Sequence, residues 1–221
     1  MGIFDTVKQI LDPILNCLFE QLLAPVWYSL SFVFGHLPLF ALAIALGVGF
    51  CLPQIYGLKD PKAFALMARR FSRSVATGRA LMVLATLWFL YYVRAEDLAD
   101  YAGFKQYLML LFLLVGIGTC IFVQDFLAVR GLALVWLLLA KLMVDTGRPA
   151  LPQTHWVLVI QAWAYVLAVA GIWFTVSPWR LRDLLAWGTA TEQRIRVGCG
   201  LRLAFGLFVA ALGLTAFRSL T

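Results

Sequence analysis

The feature that most constrains this chain is a series of seven apolar stretches, each near the length needed to cross a lipid bilayer. A run of about 20 apolar residues pairs its backbone polar groups internally only as a helix, so such runs indicate transmembrane helices. Of the 221 residues, 63% are hydrophobic and 13% are charged, which is too little charge to cover a water-soluble domain. The sequence therefore predicts an all-α fold, a polytopic transmembrane helix bundle that forms one integral membrane domain over 1–221.

The charged and polar residues between the apolar stretches set the predicted boundaries of the spans. The seven predicted spans cover residues 14–34, 37–56, 80–93, 107–123, 132–144, 156–176 and 203–217. The first span differs from the others because it contains Glu20 and Gln21 and is interrupted by Pro25. Proline removes a helical hydrogen bond, so the alternative is a kinked or interfacial first segment and a total of six spans.

The distribution of lysine and arginine predicts which side of the membrane each loop faces. Basic residues concentrate in 58–79 and 177–202, whereas Glu96, Asp97 and Asp100 make the loop between spans three and four acidic. Positive charges near span ends favour the cytoplasmic side. We therefore expect the segment 1–13 and both basic loops inside and the C-terminus outside, in a bacterial inner membrane. The net charge of +7 then reflects topology, and we expect no nucleic-acid partner.

The two basic loops also contain patterns typical of interfacial amphipathic helices. In 61–76, apolar residues recur at helical spacing, and Lys62, Arg69 and Arg73 fall on the opposite side. A weaker pattern of the same kind follows Pro178. Such helices lie in the headgroup plane, so Lys62, Arg69, Arg70 and Arg73 are predicted to contact anionic lipid headgroups. Docking of a partner's cytoplasmic domain is the alternative.

Ionisable residues within the predicted spans are candidates for function, because charge at membrane depth is costly. Lys141 and Asp145 are four residues apart in span five and share one helix face. The pair is interpreted either as a structural ion pair near the interface or as a proton or cation carrier. Glu20 requires a partner if the first span crosses the membrane.

Few residues are suited to cofactor chemistry. His36 and His155 are the only histidines, and both are predicted at outer span ends, where two histidines are able to ligate a b-type haem. Interfacial hydrogen bonding is the simpler interpretation. The four cysteines are isolated, so no metal site is predicted, and no catalytic motif is present.

Three functions are compatible with these patterns. The first is a non-catalytic membrane subunit or scaffold that packs against other membrane proteins or against itself. The second is a small oligomeric channel or transporter that uses Lys141 and Asp145. The third is a haem- or quinone-associated membrane subunit. Short loops and absent catalytic motifs favour the first, and the chain is expected not to be an enzyme.

Overall fold

A computed structural model describes residues 3–35, 37–96 and 104–218, and the described chain is helical with no strands. The helices are α1 (Ile3–Asn16), a π-helical segment (Cys17–Leu22), α2 (Ala24–Gly35), α3 (Leu39–Lys59), α4 (Pro61–Phe71), α5 (Val75–Ala95), α6 (Lys105–Phe122), α7 (Leu127–Gly147), a 3₁₀ turn (Arg148–Ala150), α8 (Val157–Val176), α9 (Trp179–Gly188) and α10 (Glu192–Leu214). The predicted all-α class is confirmed.

Six of these helices are long and apolar enough to cross a membrane. They are Leu39–Lys59, Val75–Ala95, Lys105–Phe122, Leu127–Ala150 (α7 with its 3₁₀ turn), Val157–Val176 and Glu192–Leu214. Each contains most of one predicted span, from the second to the seventh. These helices fit the predicted integral membrane protein.

The predicted first span, 14–34, is divided among three shorter helical segments. They contain 14, 6 and 12 residues, whereas a helix that crosses the hydrocarbon core needs about 20. Leu15, Phe19 and Trp27 are buried together with Leu90 of α5 and Met109 of α6. We call 3–35 the N-terminal segment; it packs against the end of α5 and the start of α6.

Two predicted loops are mostly helical. The first contains α4, and the second contains α9 and the early turns of α10. Capping explains where these helices begin: the Asp60, Ser74 and Thr191 side chains accept hydrogen bonds from backbone N–H groups three residues ahead. The predicted seventh span omits the early turns of α10. These turns carry charged residues and lie before the apolar stretch, so a hydropathy criterion does not include them.

Small residues set the closest helix contacts, which lie within the chain. A Cβ atom added at Gly47 of α3 would lie 2.6 Å from the Gly206 carbonyl oxygen of α10. One added at Gly78 of α5 would lie 2.6 Å from the Ala128 nitrogen of α7. Helix α8 packs against α7 as well, whereas α6 contacts mainly α5 and α1. The ends of α3, α6 and α8 and the starts of α5, α7 and α10 therefore share one end of the bundle, which we call the basic end.

Candidate functional site

The clearest candidate site is a cavity at the basic end whose walls carry four arginines. It lies between α4 and α9 and has a volume of about 740 Å³. Its lining consists of Leu66, Arg69, Arg70, Ser72, Arg73, Arg182, Leu185 and Ala186. We call this space the arginine cavity.

Arg69 holds the two short helices together at one side of this cavity. Its Nε donates to the Thr189 Oγ1 at 3.3 Å, and its Nη2 donates to the Thr189 carbonyl oxygen at 3.2 Å. Thr189 lies at the C-terminal end of α9 and is buried. Cationic donors at a helix C-terminus satisfy carbonyl groups that the helix leaves unpaired. Arg69 therefore positions α4 against α9.

The other arginines leave the arginine cavity with excess positive charge. Arg182 pairs with the adjacent Asp183 at 3.0 Å, and its guanidinium lies 5.9 Å from the centre of the Phe126 ring. Arg70 and Arg73 form no ion pair with any described residue, and no carboxylate lines the cavity. Guanidinium groups bind phosphate oxygens in a bidentate manner, so this arrangement suits a phosphate-bearing anion.

A second, more apolar cavity adjoins the arginine cavity. It has a volume of about 730 Å³ and is lined mainly by apolar residues of α4, with contributions from α3, α5 and α9. Leu66, Arg70 and Leu185 line both cavities. Arg70 thus stands between a cationic space and an apolar space, which matches the headgroup and the hydrocarbon portion of an anionic lipid.

Three of the four predicted lipid-facing basic residues line the arginine cavity. They are Arg69, Arg70 and Arg73. Lys62 lies elsewhere, with its Nζ 3.6 Å from the Glu192 carboxylate of α10. Arg182 was not among the predicted site residues, because its sequence pattern near Pro178 is weak; contact between α4 and α9 brings it to the site.

Lys141 and Asp145 form the predicted ion pair. The Lys141 Nζ lies 2.7 Å from the Asp145 Oδ2, and it also lies 4.9 Å from the centre of the Tyr92 ring. Asp145 lines a cavity of about 520 Å³ beside the N-terminal segment, whereas Lys141 lines a separate groove of about 430 Å³ between α5, α6 and α7. The pair therefore lies between two spaces.

Glu20 has a partner that the sequence did not reveal. Its Oε2 accepts a hydrogen bond from the Arg94 Nη2 at 2.6 Å, and the Arg94 guanidinium lies 5.7 Å from the centre of the Trp27 ring. The two residues are 74 positions apart, so only folding of the N-terminal segment onto α5 brings them together.

The residues considered for cofactor binding are not brought into a site by the described structure. His155 is exposed in the turn before α8, and His36 lies outside the described residues. The four cysteines are free thiols. In the described ranges, no group of three or more His, Cys, Asp or Glu side chains is arranged to hold a metal ion. A haem pair therefore stays a prediction.

Comparison with known proteins adds no relative. No protein-family model, no curated protein and no solved structure matches this chain.

Proposed function

We propose that this protein is a non-catalytic integral membrane protein that binds the phosphate-bearing headgroup of an anionic lipid in the arginine cavity. The observation that carries this proposal is the convergence of four arginines on one cavity without a carboxylate in its lining. The adjoining apolar cavity favours a lipid over a free anion. In this role the protein is a membrane subunit or scaffold whose basic end is attached to anionic lipid.

The proposed topology has six spans, with the basic end in the cytoplasm of a bacterial cell. Arg69, Arg70, Arg73 and Arg182 support this orientation, because positive charges near span ends favour the cytoplasmic side. The N-terminal segment contacts α5 and α6 at the opposite end. Both termini are therefore proposed outside, whereas the predicted cytoplasmic N-terminus requires 14–34 to cross.

The native Cys17 tests this topology directly. Its side chain is exposed in the π-helical segment. A membrane-impermeant maleimide added to intact cells is expected to label the wild-type chain and to label Cys17→Ser far less. Labelling of Cys17 only after the cells are permeabilised would support seven spans and a cytoplasmic N-terminus.

Other membrane proteins or a second copy of the chain are the proposed partners within the bilayer. Helix α6 supports this role, since it packs mainly on α5 and α1 and exposes large apolar residues along its outer side. Exposed Leu111, Leu114 and Ile117 illustrate this side. Lipid covers such a surface as well as a protein partner does. Co-purification of a stoichiometric subunit is therefore the test of partner binding.

The lipid-binding proposal is tested with the double variant Arg70→Gln/Arg73→Gln. An interfacial basic residue contributes roughly 1 kcal/mol to binding of anionic lipid, so the pair is expected to lower affinity about 30-fold. The assay is titration of purified protein with a short-chain phosphatidylglycerol, in parallel with phosphatidylcholine as the neutral lipid.

The matched control is Arg79→Gln/Arg196→Gln, which removes the same charge from the basic end at exposed positions outside the arginine cavity. We expect this control to bind phosphatidylglycerol nearly as the wild type does. An equal loss in both double variants would show general electrostatic attraction and would overturn the proposed site.

A second candidate function is transport, favoured by the position of the Lys141–Asp145 pair between two cavities. In this hypothesis, the Asp145 carboxylate releases Lys141 and binds a transported cation or proton in its place. Proteoliposomes that contain Asp145→Asn should then lose flux while the folded protein persists. Normal flux in that variant would eliminate the role of this pair.

A further inference from the structure

A second apolar groove lies along α5 and shares no lining residue with the arginine cavity. Its floor is α5 and its two walls are α6 and α7. It has a volume of about 430 Å³. Most of its lining is apolar, Arg130 and Lys141 of α7 are its charged residues, and α8 contributes Thr175. We call it the α5 groove.

Close packing of α6 on α5 forms this groove. A Cβ atom added at Gly116 would collide with the Thr86 side chain, so glycine permits the approach of the two helices. The rings of Phe89 and Phe112 meet edge to face with their centres 4.7 Å apart. Because α6 contacts mainly α5 and α1, the space between α6 and α7 above α5 stays open.

The length of the α5 groove suits one hydrocarbon chain. Arg130 and Lys141 mark its ends on α7, and the 11 intervening steps correspond to about 16 Å at 1.5 Å per residue. This length is close to half of the roughly 30 Å hydrocarbon core, which is the depth of one leaflet. A single extended acyl chain therefore spans the groove from Arg130 at the basic end to Lys141.

The charge in the α5 groove is unequal at its two ends. At one end, Lys141 is neutralised by Asp145 at 2.7 Å. At the basic end, the Arg130 Nε is buried and has no hydrogen-bond partner among the described residues. Thr119 and Thr175 at this end already donate their hydroxyl protons to carbonyl groups of their own helices. Arg130 is thus an unsatisfied cationic donor beside an apolar slot.

We propose that the α5 groove binds a long-chain fatty acid, with its carboxylate on Arg130 and its chain between α6 and α7. A buried donor without a partner is costly, and a carboxylate satisfies both the donor and the positive charge. One slot and one uncompensated cation match one chain and one negative charge. A diacyl lipid would leave its second chain outside the slot.

Binding of palmitate and of hexadecanol to the purified, delipidated full-length protein tests this proposal. The two probes share one chain length and differ in the headgroup. The wild type is expected to bind one palmitate per chain, at least about tenfold tighter than hexadecanol, because a charge-assisted hydrogen bond is lost with the alcohol. Arg130→Gln should lower palmitate affinity to that of hexadecanol and leave hexadecanol binding unchanged.

The chain-binding part of the proposal is tested with Val115→Trp, which fills the α5 groove from an exposed position on α6. Leu114→Trp is the matched control, because Leu114 is equally exposed, at 57%, and does not line the groove. Val115→Trp should abolish palmitate binding, whereas Leu114→Trp should retain it.

Several outcomes would overturn the proposal. They are equal affinity of the wild type for palmitate and hexadecanol, equal binding by the two tryptophan variants, or a co-purifying phospholipid that palmitate does not displace. The palmitate and hexadecanol comparison uses only the wild type, so it decides the question even if Arg130→Gln fails to fold. Loss of phosphatidylglycerol binding in Arg70→Gln/Arg73→Gln does not bear on this groove.

Discussion

The two ends of the helix bundle differ in whether their charged side chains have partners within the chain. At the end that carries the N-terminal segment, Asp12 accepts a hydrogen bond from Tyr107 at 2.7 Å, and Glu20 pairs with Arg94 at 2.6 Å. At the basic end, Arg70 and Arg73 line a cavity without an ionic partner among the described residues.

This difference distinguishes charges that hold the fold together from charges that remain for a ligand. Paired groups such as Glu20 and Arg94 attach the N-terminal segment to α5, so their interaction is already satisfied within the chain. The unpaired guanidinium groups of Arg70 and Arg73 line the same cavity and repel one another, and an anion bound there removes that repulsion. A ligand is therefore expected at the basic end and not between Glu20 and Arg94.

The largest expected effect comes from removing together the three cavity arginines that do not join α4 to α9. Arg70→Gln/Arg73→Gln/Arg182→Gln leaves Arg69 in its contact with Thr189, so α4 and α9 should remain in place. At roughly 1 kcal/mol for each interfacial basic residue, the triple variant should bind anionic vesicles about 100-fold more weakly, measured by co-flotation at low salt. Unchanged vesicle binding would show that the cavity arginines at the basic end do not bind an anionic ligand.

A smaller effect is expected at the Lys141–Asp145 pair, where charge is already compensated. Removing one partner leaves the other charge without compensation in a helix apolar enough to cross the membrane, so Asp145→Asn should lower stability by about 1–3 kcal/mol. Lys141→Met/Asp145→Leu removes both charges and should recover most of the loss. Thermal unfolding in detergent measures both variants. If the double variant is less stable than Asp145→Asn, the pair is not a simple compensated ion pair.

A still smaller effect is expected at Arg69, which lines the arginine cavity but joins α4 to α9. Arg69→Lys keeps the charge and loses the two-point contact with Thr189, so stability should fall by about 0.5–1.5 kcal/mol. Binding of anionic vesicles should change little. A large loss of vesicle binding with unchanged thermal stability would instead place Arg69 among the ligand-binding residues.

The smallest effect is expected at Glu20. Its side chain is 51% exposed and that of Arg94 is 35% exposed, and ion pairs of this kind contribute about 0–1 kcal/mol. Glu20→Gln should therefore shift the thermal midpoint only slightly and should leave vesicle binding unchanged. A loss of vesicle binding would connect the two ends and contradict the separation between them.

The sequence grouped three of the four cavity arginines as lipid-facing residues and missed the fourth for a physical reason. Arg69, Arg70 and Arg73 belong to one short segment whose amphipathic pattern is visible in 61–76. Arg182 is more than 100 positions away, and its neighbours lack a clear pattern, so local spacing did not assign it to the same site. The contact between α4 and α9 brings the four residues together.

The boundaries of the long helices show a similar limit. Hydropathy located the apolar middle of α5 and α10, but both helices begin earlier, after the capping residues Ser74 and Thr191. The predicted first span joined residues on both sides of the π-helical segment, because mean apolarity does not register where an α-helix is interrupted. The packing of Phe19 and Trp27 onto α5 and α6 depends on distant residues.

The apolar stretches alone determined a helical membrane protein, because a long apolar segment pairs its backbone polar groups within a bilayer only as a helix. The basic residues between the stretches determined that one end of the bundle is strongly basic. The i, i+4 spacing of Lys141 and Asp145 also determined their ion pair locally. Tertiary structure alone decided the partner of Glu20, the meeting of Arg182 with the arginines of α4 and the unsatisfied position of Arg130. Each depends on contacts between helices, which are set by packing across the whole bundle and are not encoded in the spacing of any one segment.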